Sequence, residues 1–263
     1  MPTIHILMDD RVAEMRPQGL RAEHGFAAAI DDVLFDTGQT GAAVENARRL
    51  GLPTEYETIV LSHGHYDHTG GLPAFLDGAE TVYAHPDALQ SKVREGTYIG
   101  LPYRRDRIEA DAEIVIHGDP VEVGPGIHAL GEIPREYPDN PTGELVADDG
   151  SRGPDPLLDD QSLAIETDDG ILLLCGCCHA GLRNTIERAE AVTGDDVRAV
   201  VGGTHLNALD AEEVHEIADW LEDRLDLDLL APSHCTGHVA ERVLASRFPD
   251  AYEFVGVGSE IER

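Results

Sequence analysis

Apolar residues in this chain fall in short runs that alternate with stretches of helical periodicity, and no run is long. Residues 3–8 and 26–35 read as strands, the second closing at the turn Asp36-Thr37-Gly38. Residues 42–50 have helical composition and stop at Gly51-Leu52-Pro53. Residues 58–61 form a brief apolar strand that leads straight into a polar, histidine-rich segment. Gly70-Gly71-Leu72-Pro73 then opens a short helix, and residues 81–84 make another strand.

The last third repeats this alternation. Residues 163–166 and 171–174 predict a hairpin around Asp168-Asp169-Gly170. A helix over 182–192 precedes a buried strand over 197–201. An amphipathic helix over 210–224 has Asp210 as its N-cap, followed by a strand over 227–231 and a final helix over 239–248. Residues 91–160 lie between these regular parts, rich in Pro, Gly and charge, with short β-like pieces such as Ile114-Val115-Ile116. Such an excursion either shapes a site or is a solvated connection. Two β-rich halves, each followed by helices and with no short-period repeat, fit an α+β sandwich carrying helices outside, in one domain spanning 1–263.

Composition narrows the class. The 263 residues suffice for a substantial core, and no stretch approaches the ~20 apolar residues of a membrane span. The beginning of the chain lacks a basic region followed by an apolar one, so a cytoplasmic location is the expectation. Asp and Glu number 51 against 19 Lys and Arg, a formal net charge of -32, and Lys92 is the only lysine. That field repels nucleic acid and anionic lipid, which leaves a small-molecule substrate, and a homo-oligomer is compatible with it. Acidic residues are spread along the chain, as expected of a halophile's cytoplasmic protein, where salt screens self-repulsion. A merely acidic mesophilic enzyme does not account for the scarcity of lysine. Cys175, Cys177, Cys178 and Cys235 are expected to be reduced thiols, since three of them crowd too closely to pair.

The candidate chemistry sits in Leu61-Ser62-His63-Gly64-His65-Tyr66-Asp67-His68-Thr69-Gly70-Gly71. On an extended segment alternate residues face the same way, so His63 and His65 can address one metal ion. Asp67 and His68 follow as the chain turns towards a helix and can reach a second ion. Imidazole and carboxylate suit zinc first, with manganese, iron or magnesium as alternatives. Gly64, Gly70 and Gly71 leave the backbone room to fold around such ions.

This run resembles the hallmark of the metallo-β-lactamase superfamily, His-x-His-x-Asp-His after a short strand. The resemblance implies an αββα four-layer sandwich with its metals at one edge. It extends to a subgroup that includes archaeal dihydropterin synthases of methanopterin biosynthesis. Ala22-Glu23-His24-Gly25, Leu34-Phe35-Asp36-Thr37-Gly38-Gln39, Gly131-Glu132-Ile133-Pro134-Arg135 and Asp160-Gln161-Ser162-Leu163 carry that likeness. So do Gly176-Cys177-Cys178-His179-Ala180-Gly181, Gly202-Gly203-Thr204-His205-Leu206 and His234-Cys235-Thr236-Gly237.

By that resemblance His179 completes one metal's ligands and His234 those of the other. Members of the superfamily usually carry a bridging Asp where this chain has Cys177, which is either a soft ligand favouring zinc or a buried thiol. A ligand His in many relatives is replaced here by Glu132, which either ligates or points away. His205 is assigned to substrate binding or general-acid work, with a structural role as its alternative. Arg135 offers a fork for phosphate or carboxylate, or a surface ion pair. His24 and Asp36 line or buttress the site. His5, His85, His117, His128, His215 and His238 belong to no motif and are expected to be structural or exposed.

The implied function is a hydrolase of a phosphorylated, cyclic or ester-like small molecule, acting through a metal-activated water that Asp67 helps to position. A dihydropterin synthase-like transferase that displaces pyrophosphate is the alternative. A metal-dependent binding or sensor protein with little turnover is a third, suggested by the Cys177 and Glu132 departures.

Overall fold

The computed structural model describes residues 2–138, 143–146 and 150–263. Strand β1 (Thr3–Met8) is followed by β2 (Ala27–Ile30), β3 (Val33–Phe35), helix α1 (Ala42–Leu50) and β4 (Thr58–Val60). Then come α2 (Tyr66–Thr69), β5 (Thr81–Ala84), β6 (Ser91–Arg94), β7 (Thr97–Tyr98), α3 (Arg105–Glu109) and β8 (Glu113–Ile116). The middle continues through β9 (Val121–Gly124), β10 (Ile127–Ala129), β11 (Glu144–Val146) and β12 (Arg152–Pro154). The last third holds β13 (Ser162–Thr167), β14 (Gly170–Cys175), α4 (Leu182–Thr193), β15 (Val197–Gly203) and α5 (Ala211–Arg224). Strand β16 (Leu229–Ser233), helix α6 (His238–Arg247) and β17 (Glu260–Glu262) complete it.

Two sheets form the centre. One has the order β17-β1-β2-β3-β4-β5-β8, the other β16-β15-β14-β13-β10-β9. Between them Ile4, Ile6, Phe26, Ala28 and Phe35 of the first meet Leu163, Ile165, Leu172, Leu174 and Val201 of the second. Strand β14 shows why six successive residues are all buried. Leu172 and Leu174 face this inter-sheet core, while Ile171, Leu173 and Cys175 face Leu182, Ile186, Val214 and Leu244 of α4, α5 and α6. Each side chain so buried contributes roughly 1.5–3 kcal/mol. On the far face of the first sheet, Ala43 and Ala47 of α1 cover Leu34 and Ile59. The architecture is thus the four-layer αββα sandwich. No helix among the described residues is long and apolar enough to cross a membrane.

Three differences from the sequence expectations have physical reasons. Residues 26–35 are two antiparallel strands, because Asp31 takes φ 49°, a left-handed conformation suited to a tight turn. The turn into helix falls within the histidine motif itself, at α2, and Leu72–Ala74 adds only one 3₁₀ turn. The middle segment is not a single excursion. Strand β8 joins the first sheet, β9 and β10 join the second, and β6, β7, β11 and β12 make a small sheet of their own. Residues 139–142 and 147–149 of that segment lie outside the described residues.

Candidate metal centre

The strands carry the site at one edge. Strands β3, β4 and β5 run parallel in the first sheet, and β14, β15 and β16 run parallel in the second. Asp36 follows β3, His63 follows β4, Cys177 and His179 follow β14, His205 follows β15, and His234 follows β16. At four of these exits a non-glycine residue is left-handed: Asp36 (φ 58°), Cys178 (φ 64°), His205 (φ 49°) and His234 (φ 47°). Such conformations cost on the order of 1–3 kcal/mol each and persist where the surrounding fold imposes them. Here they turn each chain sharply so that its side chains meet across the seam between the sheets.

Among the described residues five groups of three metal-ligating side chains result, and two of them consist wholly of the ligands expected from the sequence. His63, His65 and His179 each offer an atom within 4.8 Å of the others'. Nε2 of His63 lies 2.9 Å from Nδ1 of His65, and the His179 ring centroid is 4.9 Å from that of His63. The second group is Asp67, His68 and His234, with Oδ2 of Asp67 at 3.6 Å from Nε2 of both histidines. Nε2 of His65 and Nε2 of His234 are buried without a hydrogen-bond partner among the described residues.

Carboxylates orient the rings. Asp36 accepts from Ser62 N–H (2.7 Å) and Ser62 Oγ–H (2.6 Å), and its Oδ2 lies 2.7 Å from Nδ1 of His68. Nδ1 of His68 therefore carries the proton and Nε2 presents its lone pair to the cluster. Asp10 orients the His234 ring, with Oδ1 at 2.8 Å from Nδ1, and it also holds His24 at 3.1 Å. The other nitrogen of His24 lies 3.3 Å from Asp67. Gly176 makes the packing possible: a Cβ there would stand 2.4 Å from Ser62 Oγ and 2.8 Å from Asp36 Oδ2.

Protonation differs between the groups. Burial, then the neighbouring His68, His65 and His179, holds His63 well below the ordinary histidine value, and burial pushes His65 down to about 4. Both rings are neutral at pH 7, the form that ligates metals. Burial works against charge on His234 too, but Cys235, Asp10 and Asp67 overcome it and lift that ring to about 10. Burial would raise Asp67, yet His68, His234, His65 and His24 hold it below the usual carboxylate value. A negative charge among imidazoles with orphaned nitrogens is a donor set that a divalent cation completes.

The site opens into a cavity of about 170 Å³ lined by His24, His65, Tyr66, Asp67, Arg94, Ile99, Cys177, His179, His205, Asn207, His234 and Cys235. His205 packs against His179 with centroids 4.1 Å apart and rings tilted by 47°, and its buried Nδ1 has no hydrogen-bond partner among the described residues. The small sheet contributes Arg94, and Ile99 beside it accepts the Tyr66 N–H at 2.9 Å. Arg94 makes no ion pair or side-chain hydrogen bond among the described residues. Glu132 and Arg135 are elsewhere. They line a separate cavity, where Glu132 lies 3.1 Å from His85 and Arg135 donates to Leu157 O at 2.6 Å.

Several participants were given no role at the site by the sequence. Asp9 accepts the His234 N–H at 3.1 Å, and burial pushes it up to about 6. Asp10 looked like one more acidic residue in a chain full of them; only its place at the end of β1 marked it. Asp160 accepts the Ala180 N–H at 2.9 Å and so anchors the His179 loop. Lys92 is fully buried between Asp155 (2.7 Å) and Asp159 (2.9 Å), and Asp159 accepts the Gly64 N–H at 2.8 Å. All four cysteines are buried and free.

A family model described as "Metallo-beta-lactamase superfamily" matches residues 31–177. Uncharacterized protein MJ0448 of Methanocaldococcus jannaschii is 31% identical over 244 residues, covering 89% of this chain and 92% of that one. From the same organism, 7,8-dihydropterin-6-methyl-4-(beta-D-ribofuranosyl)-aminobenzene-5'-phosphate synthase is 29% identical, covering 92% of this chain and 90% of that one. Among solved structures, Tm1679, a metal-dependent hydrolase of the beta-lactamase superfamily, superposes with a TM-score of 0.89 at 29% identity. That match covers 100% of this chain and 99% of Tm1679.

Proposed function

The chain belongs to the metallo-beta-lactamase superfamily, and from that premise we propose that it hydrolyses a phosphorylated, cyclic or ester-type small molecule with the help of divalent metal. The observation that carries this reading is the meeting of two ligand triads, each with a buried imidazole nitrogen that lacks a hydrogen-bond partner among the described residues. A buried unsatisfied polar atom costs about 1–3 kcal/mol, which a bound cation would remove.

In this reading His63, His65 and His179 hold one ion and Asp67, His68 and His234 a second, zinc first among the candidates and manganese, iron or magnesium behind it. When bound, such ions supply Lewis acidity and an activated water at neutral pH. Asp67, kept anionic by its histidines and steadied by His24 at 3.3 Å, accepts a hydrogen bond from the attacking water and fixes its direction. His205 is placed to hold a proton for the leaving group. Arg94 offers its guanidinium to an anionic group of the substrate, and an arginine with no ion pair among the described residues is notable at this cavity in a chain of net charge -32.

The test is a panel of phosphate monoesters, diesters, cyclic esters and thioesters assayed with zinc, manganese and iron. Metal-dependent turnover that disappears in His63→Ala is the expected result. Tight metal binding with no turnover on any substrate would replace the reading with that of a binding or sensor protein.

A synthase-like transferase is the second reading, favoured by the 29% identity to the archaeal dihydropterin enzyme over 92% of this chain. Its signature is pyrophosphate release from a pterin diphosphate that requires an aryl nucleophile. We also take the protein to be a salt-adapted cytoplasmic one without nucleic-acid or membrane partners, on the strength of its charge.

A further inference from the structure

Two of the chain's four cysteines, Cys177 and Cys235, line the cavity. Sγ of Cys235 accepts the His205 N–H at 3.3 Å and lies 3.4 Å from the Cys177 carbonyl oxygen, which brings the ends of β15, β14 and β16 together. Sγ of Cys177 lies within 4.8 Å of Cys235 Sγ and a His205 ring nitrogen on one side, and on the other it faces the imidazoles. It lies 3.4 Å from Nε2 of His68, and the ligand atoms of His63, His68 and Cys177 all fall within 4.8 Å of one another. His63 belongs to the first triad and His68 to the second. One sulfur is therefore within reach of a ligand from each triad.

We infer that Cys177 is a sulfur ligand shared between the two metal positions, which makes this a centre for thiophilic divalent ions such as zinc and cadmium rather than magnesium or manganese. The inference rests on the metal-dependent reading above. A thiolate has lone pairs to spare for two cations at once, and it is a soft donor that discriminates against hard ions. As each sulfur–metal contact forms, the thiol proton leaves to solvent, so no oxidant or reductant is involved. Gly176, held against Ser62 and Asp36 by a contact that no side chain would allow, fixes where the next residue emerges from β14. The sulfur position is thus set by the same buried carboxylate that orients His68. In the alternative Cys177 is only a packed thiol, and the six other ligands carry the metals unaided.

The experiment loads the full chain with Co²⁺ and records its absorption. The visible d–d bands report occupancy by nitrogen and oxygen ligands, and a near-ultraviolet charge-transfer band reports thiolate ligation. The expected result is both signals in the wild type, loss of the charge-transfer band alone in Cys177→Asp, and its retention in Cys235→Ser. Calorimetry should show the affinity for Cd²⁺ falling at least about tenfold in Cys177→Asp, a size that even supporting residues of a metal site command, while the affinity for Mn²⁺ holds or rises. Visible bands without charge transfer in the wild type would overturn the inference and leave the hydrolase reading standing. A charge-transfer band that survives in Cys177→Asp would also overturn it. Absence of any Co²⁺ binding would overturn both.

Discussion

Lys92 and Asp159 form a buried ion pair of 2.9 Å whose carboxylate reaches on to the Gly64 amide, between His63 and His65. The only lysine in the chain is therefore a structural support for the histidine motif. Removing one partner of a buried pair typically costs about 3–5 kcal/mol, because the remaining charge is stranded. Lys92→Met should lower the melting temperature by roughly 10 °C or more and loosen metal binding at His63 and His65. The carboxylates lift Lys92 above its ordinary value against the pull of burial. Its contribution is therefore complete below the ordinary lysine pKa and lost as pH rises through the folded one. A melting curve series from pH 6 to 11 should show the wild-type advantage over Lys92→Met shrinking only at the alkaline end.

His65 and His234 should titrate at opposite ends of the scale in the metal-free protein. His65, pushed down to about 4, stays neutral through the physiological range, and His234, lifted to about 10, stays protonated through it. A raised histidine contributes stability that is fully present below its unfolded value of ~6.5. That stability is lost as pH climbs through about 10 for His234. Imidazole ¹⁵N shifts measured from pH 3 to 11 would establish both, and a protonated His65 at pH 6 would refute the assignment. Added zinc should strip the proton from His234, so affinity at its group should rise with pH.

Asp10 supports His234 from one side and His24 from the other. Asp10→Ala should weaken the metal position of Asp67, His68 and His234 by about 10–100-fold. The His63, His65 and His179 position, which Asp10 does not touch, should hold its affinity. Two-site calorimetry separates these effects, and equal losses at both sites would show that the residue acts only through global stability.

Gly176→Ala places a methyl group 2.4 Å from Ser62 Oγ, in the carboxylate–hydroxyl–imidazole cluster around Asp36. Overpacking of this kind costs about 1–3 kcal/mol. The expected outcome is a folded protein by circular dichroism with a lower denaturation midpoint and a displaced His68. A variant as stable as the wild type, with unchanged metal affinity, would show that this strand exit yields more easily than its contacts suggest.

A net charge of -32 should make stability depend on salt. Moving from about 0.1 M to 1 M shortens the screening length from roughly 10 Å to 3 Å. The denaturation midpoint should rise strongly over that interval in potassium chloride. A flat or falling midpoint would remove the basis for reading the chain as halophilic.

Much of the frame was legible because β1, β5 and β14 are apolar runs bounded by turn residues, and helix α5 announces itself with the Asp210 cap. The histidine motif stood out for the same reason that it is useful: closely spaced ligands cannot be explained by packing. The small sheet was not legible. Its strands are two to four residues long and half-exposed, with no alternation to detect. Asp9 and Asp10 were invisible for a different reason, since nothing in composition separates a carboxylate that holds a histidine from one that faces water. Glu132 shows the converse, a position singled out by resemblance whose side chain turns to His85 because its loop leads into another cavity.

Each triad draws on both sheets. His63 and His65 leave the first sheet and His179 the second, just as Asp67 and His68 leave the first and His234 the second. An ion held in either position would consequently be a rivet across the seam between the layers, at the edge where left-handed turns strain the strand exits. Chelation would then do more than silence chemistry. It would let the two halves of the sandwich breathe apart at that edge, and amide exchange at the ends of β4, β14 and β16 should quicken together while the opposite edge stays closed.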